Sequence, residues 1–195
     1  MPSTKGVNRL KKYHVLLLTG IFFLTLLLGG CKKAIPKPDF DTQNYQNDVC
    51  SFEIPEGWEE YAELTGDRQI MLVPKGSDFQ QSVSNIHVNL SQSSEKHTSL
   101  EEMKKTFSSE FEPSVLDVNP TAKNFSYSSY EAPNYDVFVA EYDITSESGK
   151  TAHITQFYPL MKKDILVITA LDAGEGVSVD VSAAAKHIIN TFEFE

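Results

Sequence analysis

One short run of apolar residues limits what this chain can fold into more than any other feature. Residues 165–171 (ILVITAL) place apolar side chains on both sides of an extended strand. Apolar surface left in water costs about 25 cal/mol per Å², so such a strand must be shielded on both faces. We therefore predict that it lies at the centre of a sheet that other elements cover from two sides.

The segments around this run predict further strands joined by tight turns. The predicted strands cover residues 50–54, 69–73, 85–91, 125–130, 135–145 and 151–160. Residues 146–150 (SESGK) and 162–164 (KKD) have the composition of hairpin turns. Strands that follow one another through tight turns pair in the antiparallel sense. The predicted sheet is therefore mostly antiparallel.

Two segments have the spacing of amphipathic helices. The first begins near Thr98, where two capping boxes overlap, Thr98 with Glu101 and Ser99 with Glu102. Its apolar stripe consists of Leu100, Met103, Phe107 and Phe111. We expect Pro113 to end this helix and residues 179–191 to form a second one. The predicted fold class is α+β, a sandwich of one mostly antiparallel sheet with a helix packed on each face.

The charge is distributed unevenly along the 195 residues. The first thirty residues carry four basic side chains and no acidic one, which leaves 13 basic and 27 acidic side chains for the remainder. Such an acidic surface excludes a protein that binds nucleic acid through a dense row of phosphate contacts. The length is that of one ordinary domain with an N-terminal extension.

The N-terminus has the three-part pattern of a secretory signal peptide. Basic residues are followed by an uncharged apolar run over residues 15–28, and then by Gly29, Gly30 and Cys31. The run is shorter than the roughly 20 residues that a helix needs to cross a bilayer. A permanent transmembrane span is therefore the weaker interpretation.

Leu28, Gly29, Gly30 and Cys31 resemble the lipobox of bacterial lipoproteins. In that family the signal peptide is cut just before the cysteine, which is then acylated with chains such as palmitate. The resemblance implies that Cys31 holds the protein on membrane lipid, since each buried methylene of a chain contributes about 0.8 kcal/mol. It also implies the extracytoplasmic face of the cell membrane, or an outer membrane where the cell has two.

These features divide the chain into three parts. Residues 1–30 are the predicted signal peptide, and residues 31–47 are the lipidated cysteine and a flexible tether rich in polar residues. Residues 48–195 are the single folded domain. Cys50 is the only cysteine left once Cys31 is lipidated, so no disulfide within the chain is expected. Its place on an alternating strand favours a buried thiol over a reactive one.

Both ends of the folded domain resemble a known family. Residues 52–58 (FEIPEGW) look like the opening of PsbP-like domains, and the ending at residues 191–194 (TFEF) adds to the likeness. PsbP is an extrinsic subunit of plant photosystem II, and the same fold serves bacterial lipoproteins. The resemblance covers roughly residues 48–195 and implies an α/β/α sandwich. It also implies a non-enzymatic accessory or binding role, with no catalytic residues to carry over.

The sequence contains no motif for nucleophilic catalysis, phosphate binding or a dinucleotide cofactor. We therefore assign no catalytic, cofactor-binding or metal residues and expect no cofactor. Two alternatives stay open. His87 and His153 both lie mid-strand and could share a divalent ion across the sheet. An enzyme site could instead be assembled from dispersed residues such as His153, Tyr158 and a carboxylate.

Tyrosines crowd the strand-rich second half of the domain. They are Tyr127, Tyr130, Tyr135, Tyr142 and Tyr158. Aromatic residues in sheets pack in the core or across strands more often than they line a binding surface. A core role is therefore the first interpretation for these tyrosines, and a binding surface is the second.

The leading hypothesis is an extracytoplasmic lipoprotein, anchored to membrane lipid through acylated Cys31. It would act as a non-catalytic binding or accessory module for an envelope protein or a small ligand. Its acidic loops or an open sheet edge would meet that partner. The alternatives are an envelope enzyme and a lipoprotein that captures a metal or another solute.

Overall fold

The structure is a computed structural model that describes residues 34–77, 84–92, 99–161, 164–174 and 177–195. Ile35–Glu195 form one compact unit. The predicted signal peptide, Cys31 and the first two residues of the turn at 162–164 lie outside the described residues. In the described part of the chain, no helix is both long enough and apolar enough to span a membrane.

The strands of the described residues form two antiparallel sheets. They are β1 (Thr42–Gln46), β2 (Cys50–Pro55), β3 (Trp58–Glu60), β4 (Gln69–Pro74), β5 (Asn85–Gln92), β6 (Lys123–Glu131), β7 (Asp136–Thr145), β8 (Thr151–Pro159), β9 (Asp164–Asp172) and β10 (Glu193–Phe194). A short 3-10 helix, Ala62–Leu64, lies between β3 and β4.

The large sheet has seven strands in the order β3-β4-β5-β9-β8-β7-β6. Every neighbouring pair is antiparallel. β9 contains the apolar run and lies in the middle, so its predicted central position is confirmed. Leu166, Ile168 and Ala170 of this strand are buried, whereas the residues between them are half-buried.

The small sheet consists of β2 between β1 and β10. The prediction of a single sheet is therefore wrong. β1 has the polar sequence TQNYQ and lies at an edge, where several of its side chains remain in water. An edge strand of this kind lacks the apolar alternation by which strands are recognised. Thr42–Gln46 also lie inside residues 31–47, so the segment predicted as a flexible tether contains a paired strand.

The first helical segment is built from three pieces. They are α1 (Leu100–Thr106), a π-helical turn (Phe107–Phe111) and α2 (Glu112–Val118). Ser99 is the N-cap of α1, and its Oγ accepts a hydrogen bond from the amide of Glu102 at 3.3 Å. The amide of Ser99 donates in return to the Glu102 carboxylate at 2.9 Å. The second of the two predicted capping boxes is therefore confirmed.

Pro113 lies inside this helical segment, so the prediction that it ends the helix is wrong. In the π-helical turn before it, the amide of Glu112 bonds to the carbonyl of Phe107, five residues back. Pro113 then falls in the first turn of α2, where amides have no partner within the helix. A proline there costs little, because the hydrogen bond that it cannot donate would not form in any case.

The second helical segment is α3 (Val181–Thr191), which begins at the N-cap Asp180. The Asp180 side chain accepts a hydrogen bond from the amide of Ala183 at 2.9 Å. The buried residues of α3 are Val181, Ala184, Ala185, His187, Ile188, Ile189 and Asn190. The helix packs against β2 of the small sheet and against β9 and β8 of the large one. It therefore joins both sheets in one hydrophobic core.

The two faces of the large sheet belong to different apolar clusters. Val137 and Val139 of β7 lie in the core with α3, whereas Phe138 and Ala140 lie with Phe107 of the first helical segment. This alternation is the period of a strand. The first segment is divided by its π-helical turn into two helices of seven residues. The prediction of an intact helix on each face is therefore not confirmed, and α3 is the longest helix that the structure describes.

Candidate functional site

Three of the five tyrosines pack in the apolar clusters beneath the first helical segment. The ring centroid of Phe107 lies 4.7 Å from that of Tyr158 and 6.3 Å from that of Tyr127. The rings of Tyr142 and Phe125 are stacked, with centroids 5.2 Å apart. Burial raises the pKa of all three tyrosine hydroxyls. The core interpretation is therefore confirmed for these residues.

The register of the large sheet separates the two histidines that were candidates for a shared metal ion. His87 pairs with Thr169 of β9, and His153 pairs with Asp172 of the same strand. Thr169 and Asp172 differ by an odd number of positions, so their side chains point to opposite faces. The shared-ion hypothesis is therefore wrong. Across the described ranges, no three His, Cys, Asp or Glu side chains are grouped to hold a metal ion.

His187 lies on α3, and its environment differs from those of His87 and His153. Its Nε2 lies 2.8 Å from Glu53 Oε2 of β2, and its side chain is 6% exposed. The ring of Phe40 meets the imidazole edge-on, with centroids 5.8 Å apart. His187 is therefore a buried histidine with a satisfied hydrogen bond, and it ties α3 to the small sheet.

The alternation along β8 also separates His153 from Tyr158, which point to opposite faces. The prediction of an enzyme site that combines His153 with Tyr158 is therefore wrong. His153 does contact two carboxylates of β7. Its Nδ1 lies 2.8 Å from Asp143 Oδ1, and its Nε2 lies 3.9 Å from Glu141 Oε1. Asn124 donates to the other carboxylate oxygen of Asp143 at 2.7 Å.

The electrostatics of this His153 cluster follow from those contacts. The hydrogen bond from His153, followed by the one from Asn124, holds the pKa of Asp143 below its ordinary value. A carboxylate bound at Nδ1 fixes the orientation of the imidazole and leaves Nε2 to accept a proton or meet a ligand. The His153 side chain is 47% exposed, so Nε2 is within reach of solvent molecules and solutes.

Beside this cluster, a groove of about 340 Å³ opens between the N-terminal end of α3 and strands β6, β7 and β8. We call it the hydroxyl groove, because many of its lining residues carry hydroxyls. These are Ser128, Tyr130, Thr155 and Ser182, whereas Ser129 pairs with Phe138 and points its side chain to the opposite face. Its charged side chains are Glu141, Asp180 and Lys186, and its apolar ones are Val139, Phe157 and Ala183.

Two of these hydroxyls have no hydrogen-bond partner among the described residues. Thr155 is 1% exposed, and both its Oγ1 and the hydroxyl of Tyr130 are buried and unpaired. An unsatisfied buried group costs about 1–3 kcal/mol, so such a hydroxyl at a groove marks a place for a ligand or water atom. Lys186 Nζ lies 4.3 Å from the centroid of the Tyr130 ring. Burial raises the pKa of Tyr130, so this hydroxyl remains neutral at physiological pH.

Glu141 connects the hydroxyl groove with the His153 cluster. It pairs with Thr155 on one side and with Ser126 on the other, and Ser126 Oγ donates to Glu141 Oε2 at 3.2 Å. The hydroxyl groove and the His153 cluster therefore form one continuous polar strip on the face of the sheet that carries α3. The sequence did not predict this strip. Its one signal is Thr155, a polar residue on the same side of β8 as the buried Phe157.

No protein-family model and no curated protein sequence matches the chain. Solved structures do share its architecture. The solution structure of cyanobacterial PsbP (CyanoP) from Synechocystis sp. PCC 6803 matches with a TM-score of 0.52 and 14% identity. The match covers 86% of this chain and 99% of that one. The fold is PsbP-like.

This likeness confirms the PsbP-like, mostly antiparallel architecture that residues 52–58 and 191–194 implied, but not a helix on each face, and at 14% identity it shows the fold alone. Two other structures have lower TM-scores. LpqN, described as involved in cell envelope biogenesis of Mycobacterium tuberculosis, has a TM-score of 0.49 at 14% identity, over 79% of this chain and 90% of that one. A crystal structure from Bacteroides thetaiotaomicron VPI-5482 has 0.49 at 12%, over 75% of this chain and 45% of that one. This chain thus spans less than half of the Bacteroides protein.

Proposed function

We propose that this protein is an extracytoplasmic lipoprotein, held on membrane lipid through acylated Cys31, whose PsbP-like domain is a non-catalytic binding module. The hydroxyl groove is its binding site, for a partner in the cell envelope or for a small ligand. The observation that carries the proposal is the buried hydroxyl of Thr155, which lines this groove without a partner in the described residues.

The anchor rests on the sequence. An apolar run that is too short to span a bilayer ends in a lipobox-like tetrapeptide, Leu28 to Cys31. The acidic remainder of the chain would be repelled by an anionic lipid surface, so attachment requires acyl chains. Such an anchor would hold the folded domain outside the cytoplasm, on the cell membrane or on an outer membrane where the cell has two.

The chemistry of the polar strip favours binding over turnover. The partners of His153 are the carboxylates of Asp143 and Glu141, whereas a histidine base in nucleophilic catalysis contacts a hydroxyl or thiol. Burial raises the pKa of Tyr130, which disfavours its use as a nucleophile or base at neutral pH. Neutral hydroxyls at a groove are suited to hydrogen bonding with a bound molecule.

Photo-crosslinking in intact cells tests the binding site. The photoreactive p-benzoylphenylalanine replaces exposed Ser128 at the groove in one variant, and exposed Ser148 in the hairpin turn between β7 and β8 in the control. We expect a covalent adduct, detected as added mass on the purified chain, from position 128 and not from position 148. Equal yields at the two positions, or none at either, would contradict a binding site at the groove.

A second variant tests the anchor separately. Cys31→Ala removes the sulfur that the lipobox pattern requires, so the chain should no longer incorporate radiolabelled palmitate. Cys50→Ala is the matched control, because it removes the other cysteine and leaves the lipobox intact. Palmitate incorporation into the Cys31→Ala chain, or none into the Cys50→Ala chain, would contradict lipid anchoring.

A specific observation supports a second candidate, an envelope enzyme with His153 as a general base. The hydrogen bond that His153 Nδ1 donates to Asp143 Oδ1, at 2.8 Å, is the orienting half of many histidine-based sites. Such an enzyme would lose its turnover in His153→Ala and keep it in Tyr158→Phe, because Tyr158 lies on the other face of the sheet. A hydrolase assay of the purified chain with ester, amide and phosphoester substrates tests this candidate.

A further inference from the structure

We propose that the hydroxyl groove binds a neutral saccharide. The inference rests on the proposed function, because it names the ligand class of the same site. It is carried by the charges, the hydrogen-bonding groups and the apolar wall of the groove.

The charges of the groove disfavour an ionic ligand. The carboxylates of Glu141 and Asp180 repel an anion, and the ammonium group of Lys186 repels a cation, within one small volume. A ligand without net charge avoids both kinds of repulsion.

The hydrogen-bonding groups then favour a ligand that is rich in hydroxyls. Hydroxyls such as those of Thr155 and Tyr130 both donate and accept, whereas a carboxylate only accepts and the Lys186 ammonium only donates. A molecule that satisfies all of them needs both functions at closely spaced positions. Each hydroxyl of a sugar ring supplies both. A neutral peptide supplies one backbone donor and one backbone acceptor per residue, which matches fewer of these groups.

The apolar wall and the size of the groove agree with this ligand class. Val139, Phe157 and Ala183 give the groove an apolar side, which the C–H face of a sugar ring would cover. The groove has a volume of about 340 Å³. Small-molecule sites span about 300–1,000 Å³, so this one is suited to one or two sugar rings.

Saturation-transfer NMR on the full lipidated chain tests the inference. The chain is held in phosphocholine micelles, since glycoside detergents would themselves offer sugar hydroxyls to the groove. The probes are glucose, N-acetylglucosamine and maltose, beside inorganic phosphate, free lysine and the neutral peptide analogue N-acetylalanine amide. We expect saturation transfer to at least one saccharide and to none of the other three probes.

Two valine variants locate the binding. Thr155→Val removes the unpaired Oγ1 and keeps the shape of the side chain, so saccharide affinity should fall about tenfold. Thr169→Val makes the same chemical change on the opposite face of the sheet and should leave the affinity unchanged. Unaltered far-ultraviolet circular dichroism shows that both variants are folded.

The other outcomes contradict either the saccharide inference alone or the proposed function as well. No transfer to any of the three saccharides, or equal losses in the two valine variants, overturns the saccharide inference. Binding of phosphate, lysine or the peptide analogue that Thr155→Val abolishes also overturns it, but leaves the groove as a binding site. If no probe binds and position 128 yields no photo-adduct, the proposed function fails as well.

Discussion

At the scale of single residues, the hydroxyl of Thr155 is a polar group in surroundings that offer it no hydrogen bond. Thr155 lies on the core side of β8, between His153 and the buried Phe157, and its Oγ1 has no partner in the described part of the chain. A polar atom that water cannot reach destabilises the folded state unless another group bonds to it. The residue therefore weakens the folded domain at the position where it serves the proposed ligand.

This cost predicts that Thr155→Val stabilises the unliganded protein. Valine fills the same space without an unsatisfied oxygen, so the free energy of unfolding should rise by about 1 kcal/mol. Urea unfolding of the variant and the wild type measures this free energy. Thr169→Val is the control, because the Thr169 hydroxyl accepts a hydrogen bond from Gln156 Nε2 at 3.2 Å and its loss should not stabilise. A Thr155→Val protein less stable than the wild type would show that the hydroxyl is satisfied.

Cys50 provides a second test at this scale. Burial, followed by the charge of Glu195, raises the pKa of its thiol to about 11. In Cys31→Ala protein, where Cys50 is the sole cysteine, we expect almost no reaction with a thiol reagent at pH 8 until denaturant is added. Reaction of the native protein at the rate of the unfolded chain would contradict the buried position of Cys50.

Asp143 carries a prediction for pH. Its pKa in the folded protein lies below the ordinary value of 3.8, because the ionised carboxylate accepts hydrogen bonds from His153 and Asn124. Its contribution to stability is therefore fully present above that ordinary value and is lost as the pH falls through the folded-state pKa. The loss of stability caused by Asp143→Asn should be largest at neutral pH and shrink in acid, as measured by urea unfolding. Asp136→Asn, at the exposed start of the same strand, is the control and should show no such trend.

At the scale of secondary-structure elements, the ends of the helices depend on single side chains. Asp180 caps α3 through the amide of Ala183, and Ser99 caps α1 through a reciprocal capping box. The same reasoning accounts for Pro113, because a proline is tolerated where a helical amide has no partner. Local hydrogen bonding therefore decides where α1 and α3 begin, and the π-helical turn allows the first segment to continue past the proline.

The cap of α3 can be tested by substitution. Asp180→Ala should lower the free energy of unfolding by about 1 kcal/mol, because it removes the acceptor for an amide at the start of the helix. Asp180→Asn should cost much less, since asparagine is an equally good N-cap. Thermal unfolding of the two variants measures the difference. Equal losses would show that the negative charge, and not the hydrogen bond, is what stabilises the helix end.

At the scale of the whole molecule, α3 and the chain after it unite the two sheets. Phe192, directly after α3, is 1% exposed and stacks on Phe52 of β2 with centroids 5.8 Å apart. His187 makes a second connection through Glu53. Both sheets and the helix therefore share one hydrophobic core, and the small sheet is an integral part of the domain.

Phe192→Ala tests this unity. Truncating a fully buried phenylalanine costs about 3–5 kcal/mol, so the variant should unfold at much lower urea concentration. Phe194→Ala removes a ring that is 39% exposed and should cost clearly less. Both sheets should unfold in one transition in every variant, with near-ultraviolet and far-ultraviolet circular dichroism coincident. Separate transitions would show that the small sheet folds independently.

Several local features followed from the sequence alone. They include the central position of β9, the capping box at Ser99 and the burial of Cys50. Each depends on a pattern within about ten residues, such as an unbroken apolar run, a capping spacing or an alternation next to a turn. The strand β1 and the continuation past Pro113 did not follow, because pairing with β2 and the π-helical turn override their local sequences.

Which side chains share a face depends on the tertiary structure and not on the local sequence. His87 and His153 both lie mid-strand in the sequence, and the register through β9 places them on opposite faces. The hydroxyl groove combines β6, β7, β8 and the start of α3, which are far apart along the chain. A single threonine in a strand has the same local sequence whether its hydroxyl is solvated, bonded or buried without a partner. Most of the elements and the predicted anchor therefore follow from local sequence patterns, while strand register and helix packing create the candidate site.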